Sequence, residues 1–309
     1  MQFPQLQEAF RLSRLAEPSD KVSMVLDTDT YNEIDDQFAL AYAMLSPDSV
    51  QVEAVHAAPF HNNRSDGPED GMEKSYDEIL RLLDRLGQAH EGFVFKGSRS
   101  YLPGCDEPVA SPAAEDLIRR AMSPREGSLY VVAIGAITNV ASAILIEPAI
   151  IERVVVVWLG GQPHDWPATR EFNLGQDLHA ARVVFDCGVP LVQIPCKNVA
   201  EHLCTTVPEL QAHISGRNAL CEFLFESFCG YHSDHFAWAK QLWDVSAIAW
   251  LVNSGWVPTW LTHSPILTDQ VTWSADPSRH FIRVAQDCHR NAVFADLFTK
   301  LAGAGERQV

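Results

Sequence analysis

Residues 154–159 read VVVVWL, apolar at every position and closed by Gly160 and Gly161. A strand with one wet face alternates polar and apolar side chains. A strand apolar throughout must be covered on both sides, as in the interior of a parallel sheet. The same reading applies to LYVVAI at 129–134, which stops at Gly135, and to the apolar runs at 23–26, 50–58 and 191–194. Between these runs lie segments with helical spacing, at 35–45, 71–86, 137–146 and 177–186. The alternation predicts an α/β fold with a mostly parallel, Rossmann-like open sheet covered by helices on both faces. Farther along, 207–252 reads as mostly helical, 258–289 as strands and 291–301 as a closing helix. The whole chain, 1–309, is expected to be one domain, with 1–20 as an N-terminal extension.

Open parallel sheets bind ligands beyond the carboxyl ends of their strands. Directly after the first strand the chain reads DTDTYNEIDD, which places Asp27, Asp29, Glu33, Asp35 and Asp36 within ten residues. An acidic helix start explains one or two of these carboxylates, because Asp35 and Asp36 complement the dipole of the helix that follows. It does not explain Asp27 and Asp29 beside them. So many negative groups at a strand end call for a cation. With no His or Cys pair nearby, that cation is a hard one, Ca²⁺ or Mg²⁺. Asp29 and Asp36 are candidate ligands. Asp244, which opens the apolar segment DVSAIAWL, reads either as a third ligand or as an ordinary helix cap.

The formal net charge of -17 opposes a polyanionic partner such as DNA or RNA, and no Lys/Arg cluster offsets it. The seven cysteines form no C-x-x-C pair, so neither a disulfide framework nor a zinc ribbon is expected. The N-terminus lacks the apolar core of a secretory signal, and no apolar run is long enough to span a bilayer. These features suggest a cytoplasmic protein acting on a small molecule.

Two enzyme readings fit the acidic segment. VLDTDT at 25–30 matches the D-x-D-x-T pattern of haloacid-dehalogenase phosphatases, with Asp27 as phosphoryl acceptor, Asp29 as acid/base and Mg²⁺ as cofactor. That match is short and leaves the Asp35–Asp36 pair without a task. The second reading covers most of the chain. Asp27-Thr28-Asp29 with Asp35-Asp36 is followed by Gly135-Ala136-Ile137-Thr138-Asn139. Next comes Glu147-Pro148-Ala149-Ile150-Ile151-Glu152-Arg153-Val154 before VVVWLGG, and then Glu171-Phe172-Asn173 with Asp177 opening a helix. In this order the motifs resemble the inosine-uridine preferring nucleoside hydrolase family. The chain departs from that pattern in places. The linker between Asp29 and Asp35 is two residues longer than usual, the G-N after the second strand and an Asn before Glu171 are missing, and the late His-Asp is here Trp243-Asp244.

The resemblance implies hydrolysis of the N-glycosidic bond of ribonucleosides, as in purine and pyrimidine salvage. It implies one Ca²⁺ held by Asp29, Asp36, Asp244 and the carbonyl of Ile134, with Asp35 as the base that takes a proton from water. Glu171 and Asn173 would grip the ribose hydroxyls, with Phe172, Trp243 and Asn62 among the substrate contacts. His235 is the candidate acid for the leaving base in place of the missing histidine, and Trp238, Trp243 or Trp166 are candidates to stack on that base. The resemblance further implies a homodimer or homotetramer. A non-catalytic scaffold that binds ribosyl ligands is the remaining alternative.

Overall fold

The structure is a computed structural model that describes residues 3–304. Twelve strands alternate with helices: β1 (Val22–Thr28), β2 (Val50–Ala57), β3 (Val94–Lys96), β4 (Leu129–Ala133), β5 (Val154–Leu159), β6 (Leu191–Ile194), β7 (Cys204–Thr205), β8 (Lys240–Gln241), β9 (Thr259–His263), β10 (Ile266–Leu267), β11 (Trp273–Ser274) and β12 (Phe281–Ala285). Eight of them form one sheet in the order β3-β2-β1-β4-β5-β6-β12-β9. All neighbours in it are parallel except β12 and β9. The remaining four form two small antiparallel pairs, β10 with β11 and β7 with β8.

The helices are α1 (Glu8–Arg14), α2 (Asp35–Met44), α3 (Pro68–Leu86), α4 (Pro112–Met122), α5 (Thr138–Ile146), α6 (Phe172–Gln176), α7 (Leu178–Asp186), α8 (Val207–His213), α9 (Ala219–Tyr231), α10 (Val245–Val252) and α11 (Arg290–Ala302). Two apolar layers sandwich the sheet. One gathers α2, α10 and α11 around Phe38, Tyr42, Trp250 and Leu297. The other gathers α4, α5 and α7 around Leu117, Ile144, Trp158 and Phe185. β5, apolar throughout, is buried at all six positions, as its sequence requires of a strand covered twice.

Residues 207–252 are mostly helical, as expected, in α8, α9 and α10, but the helices are interrupted where α9 ends at Tyr231 and 232–244 run as a loop through the short strand β8. Local side-chain bonds take over there, as Asp234 accepts from the Phe236 N–H and His232 Nδ1 lies 2.7 Å from the Asp234 carbonyl oxygen. Such bonds compete with helix continuation. In addition, α1, β3 and α4 were not expected. α4 carries a local signal, Ser111 capping the Ala114 N–H with Pro112 in the first turn, whereas three-residue β3 depends on pairing with β2. Within the first twenty residues, α1 packs on the sheet, with Leu15 buried and the Arg11 guanidinium donating to the Gly188 carbonyl.

At the carboxyl edge, β2, β3 and α5 close on a glycine. A Cβ on Gly97 would lie 2.0 Å from the Ala57 carbonyl oxygen and 2.5 Å from Asn139 Nδ2. Neither neighbour has room to yield, because the Asn139 amide is already bonded to Asp27, Ala57 and the Ser98 N–H. Gly97→Ala should therefore destabilise the protein by about 2 kcal/mol, as overpacking does, read as a lower urea midpoint with an unchanged slope.

Candidate functional site

β1 delivers its last residues into the sheet's carboxyl edge, and the chain then turns into α2. Asp27, Asp29, Asp35 and Asp36 are all buried there. From the far end of the chain Asp244 joins them at the start of α10. One carboxylate oxygen from each of Asp35, Asp36 and Asp244 lies within 4.8 Å of the others. Capping does not account for them, since neither α2 nor α10 has a side-chain cap and the Asp244 carboxylate accepts nothing from the first turn of α10.

Asp29 is the clearest anomaly. Both of its carboxylate oxygens are buried without a hydrogen-bond partner, a costly state for an isolated group. Gly135 makes its position possible, because a Cβ there would meet Asp29 Cγ at 3.0 Å. Burial first, and then the negative neighbours Asp36, Asp35 and Glu33, push the Asp29 pKa well above the carboxylate range. The same causes raise Asp244 well above that range, and bring Asp36 to about 7. Burial also raises Asp35, against the pull of the nearby Lys240 ammonium. Buried oxygens without donors beside carboxylates that raise one another make an all-oxygen donor set that fits a hard cation such as Ca²⁺ or Mg²⁺.

Around the cluster lies a cavity of about 290 Å³ lined by Asp29, Asn32, Glu33, Asp35, Ile134, Leu159, Gln162, Glu171, Phe172, Asn173, Cys196, Lys197, Trp243 and Asp244. That volume suits a small molecule rather than a polymer. Each parallel strand from β1 through β4 and β5 to β6 sends its following loop to this lining. Glu171 caps α6, accepting from the N–H groups of Gly161, Asn173 and Leu174. Asn173 donates its amide protons to the carbonyls of Ile134, at 3.2 Å, and Leu159, at 3.0 Å, which leaves its Oδ1 for a ligand. Asp177 anchors the following helix, accepting from Ala180 N–H, Leu102 N–H and Thr138 Oγ1.

Of the residues singled out in the sequence, Asp29, Asp35, Ile134, Glu171, Phe172, Asn173, Trp243 and Asp244 meet in this cavity. Asp36 lies behind it in the carboxylate cluster, accepting from Thr28 Oγ1. Asn62 does not line the cavity; it donates to Asn32 Oδ1 at 2.6 Å and so steadies a residue that does. His235 also stays outside the lining, with Nε2 2.9 Å from the Cys229 carbonyl oxygen and its ring beside Trp238. Trp166 is exposed elsewhere. Asn32, Glu33, Gln162, Cys196 and Lys197 were not foreseen. The strand-end rule applied to β6 would have pointed to Cys196 and Lys197. Glu33 and Asn32 lay within the acidic segment but had no assigned partner.

Asp27 does not line the cavity. It is fully buried and accepts from Asn139 Nδ2 at 2.8 Å. A phosphoryl acceptor must touch its substrate, so the dehalogenase-type phosphatase reading has no exposed nucleophile here.

Comparison with known proteins agrees with this geometry. A family model described as inosine-uridine preferring nucleoside hydrolase matches residues 24–296. A probable uridine nucleosidase 2 of Arabidopsis thaliana is 26% identical over 243 residues, 70% of this chain and 71% of that protein. A pyrimidine-specific ribonucleoside hydrolase of Klebsiella pneumoniae is 26% identical over 258 residues, 74% of this chain and 79% of its own length. Among solved structures, a purine-preferring ribonucleoside hydrolase from Gardnerella vaginalis superposes with a TM-score of 0.70 at 20% identity, covering 92% of this chain and 99% of that one. A plant nucleoside hydrolase gives 0.72 at 20% identity with the same coverage. At such identity the superpositions speak for the fold.

Burial drives Asp27 to about 7 from 3.8, with the Asn139 bond opposing. Folding thus takes up a proton near neutrality. The stability this group contributes is complete below about pH 4 and is lost as pH rises through about 7. His56 and His280, lowered by burial, act in the opposite sense below about pH 6.5, so the comparison must be with a variant. In metal-free protein, Asp27→Asn should gain on the wild type by on the order of 2 kcal/mol between about pH 5 and about pH 8, measured by urea unfolding across that range.

Proposed function

Since the chain belongs to the inosine-uridine preferring nucleoside hydrolase family, we propose that it hydrolyses the N-glycosidic bond of ribonucleosides, with water as acceptor and Asp35 as base. The observation that carries this reading is the convergence of Asp35, Asp244 and the orphaned Asp29 in a cavity that Asn173 and Glu171 also line, with Asp36 behind them. Asp29, Asp36, Asp244 and the Ile134 carbonyl would hold the ion, a hard cation by its all-oxygen donor set, which we assign as Ca²⁺ from the family resemblance. When bound, it supplies charge that acidifies a water and orients ribose hydroxyls.

The chain's own groups account for the rest. Asp35 is buried and raised, which makes it a stronger proton acceptor than a surface carboxylate. The oxocarbenium-like sugar that develops as the bond breaks gains from the surrounding negative charge. Asn173 Oδ1 accepts from a ribose hydroxyl, and Glu171, with three backbone N–H groups already on its oxygens, keeps capacity for one more. A site built to pair hydroxyls rejects deoxy sugars sharply. Trp243 and Phe172, both on the cavity wall, would meet the base.

We further assign the whole of 1–309 to one domain and expect it to act as a homodimer or homotetramer in the cytoplasm. The half-exposed Trp260 and Leu261 on the edge strand β9 give an assembly apolar surface to cover, and no described helix is long and apolar enough to cross a membrane.

Release of free ribose from a panel of ribonucleosides tests the activity. Asp35→Asn should retain fold and cation binding while losing on the order of 10²–10⁴-fold in turnover; full activity of that variant would exclude Asp35 as the base. With tryptophan where the family pattern has histidine, turnover should also follow leaving-group quality. A nitrophenyl riboside, whose aglycone departs without protonation, is expected to be cleaved faster than inosine or uridine. Equal rates would show that a leaving-group acid is present.

A further inference from the structure

Two departures from the family pattern meet in space. The longer segment between Asp29 and Asp35 contains Glu33, and the late motif carries Trp243 in place of histidine. Both residues line the cavity. Between them lies Lys240, 8% exposed, on the two-residue strand β8. Its ammonium pairs with Glu33 Oε2 and donates to the Gln241 carbonyl at 3.2 Å. It sits 5.6 Å from the ring centre of Tyr231 and 6.0 Å from that of Trp243. The Tyr231 hydroxyl in turn donates to Glu33 Oε1 at 3.4 Å.

A buried ammonium is costly and is seldom kept for stability alone, since an apolar side chain of similar volume serves as well or better. Here it joins segments 207 residues apart. One runs from Glu33 into Asp35; the other runs from Lys240 through Trp243 into Asp244. Neither has regular structure of its own to fix it, because 232–239 is loop and β8 has only its two-residue pairing with β7. The lysine also offers its charge to the faces of Tyr231 and Trp243, an attraction that grows when the site is desolvated.

We propose that Lys240 is a positioning residue of this site: clamped by Glu33, it holds Trp243 as the wall against which the nucleobase lies. The inference rests on the nucleoside-hydrolase reading. It assigns the base, rather than the ribose, to the Glu33–Lys240–Trp243 side of the cavity. The ribose side, built from Asp29, Glu171 and Asn173, does not involve Lys240.

The test compares Lys240→Met, Lys240→Arg and Glu33→Gln with the wild type, all in the calcium-loaded protein. Lys240→Met should raise KM for inosine and uridine about tenfold, while ribose still inhibits with an unchanged constant. Lys240→Arg should restore most of the loss, since it keeps the charge and the contact with both rings. Calorimetric titration with uridine at low temperature, on Asp35→Asn to prevent turnover, should show the same loss when Lys240→Met is added. In a double-mutant cycle for that binding, Glu33→Gln and Lys240→Met should be strongly non-additive. Unchanged nucleoside affinity in Lys240→Met would overturn the proposal. So would an equal loss for ribose and nucleoside together with a lowered Tm, which would make the lysine merely structural. The function proposed above fails differently: wild-type protein would release no ribose from any nucleoside, and the titrations would still report on Lys240.

Discussion

The carboxyl edge of this sheet is arranged around carboxylates taken out of water. Asp29 has two buried oxygens and no donor to either, and Asp35, Asp36 and Asp244 approach one another within 4.8 Å. Mutual repulsion at that distance in a buried site is a destabilising term the rest of the fold must outweigh. It does so with apolar packing directly beneath: α2, whose first turn carries Asp35 and Asp36, buries Phe38, Leu40 and Tyr42 completely. The site is thus mounted on an element held by the core, as a precise constellation demands.

The supporting residues divide into two kinds. Some satisfy the backbone where the loops turn. Glu171 takes three N–H groups at the start of α6, Asp177 joins α7 to Thr138 and Leu102, and Asn139 ties Asp27 to Ala57 and Ser98. These bonds make rigid loops of what would otherwise be mobile connections. Others manage charge. Lys240 is the cation that opposes the raised pKa of Asp35, and its own pKa is held up by Asp35 and Glu33 despite burial. Carboxylates and ammonium therefore depend on each other, and the pairing crosses most of the chain length.

Departure from a family pattern is usually read one residue at a time, as a loss. Here the missing histidine and the longer acidic segment are coupled, because Glu33 and Trp243 flank the same buried lysine. The wall we assign to the base is consequently aromatic and ion-paired rather than an imidazole. His235, the replacement acid suggested by its place in the sequence, is turned toward the Cys229 carbonyl. Proximity along the chain was a poor guide in this stretch because 232–244 is a loop, and a loop sets no fixed direction for its side chains.

The sheet was legible in the sequence because strands buried on both faces must be apolar at every position, and 154–159 or 129–134 admit no other environment. The carboxylates were legible too, since Asp29, Asp35 and Asp36 crowd one strand end and the fold class fixes which end binds ligands. Asp244 read from the sequence either as a partner or as a cap, for no local pattern distinguishes the two; in the fold its side chain makes no cap bond at α10 and lies with Asp35 and Asp36. Three-residue β3, the orphaned oxygens of Asp29 and the Glu33–Lys240 pair belonged to tertiary structure alone. Each consists of contacts between segments far apart in the chain. Periodicity and composition report which surface a residue prefers, and carry no information about which distant residue will be there to meet it.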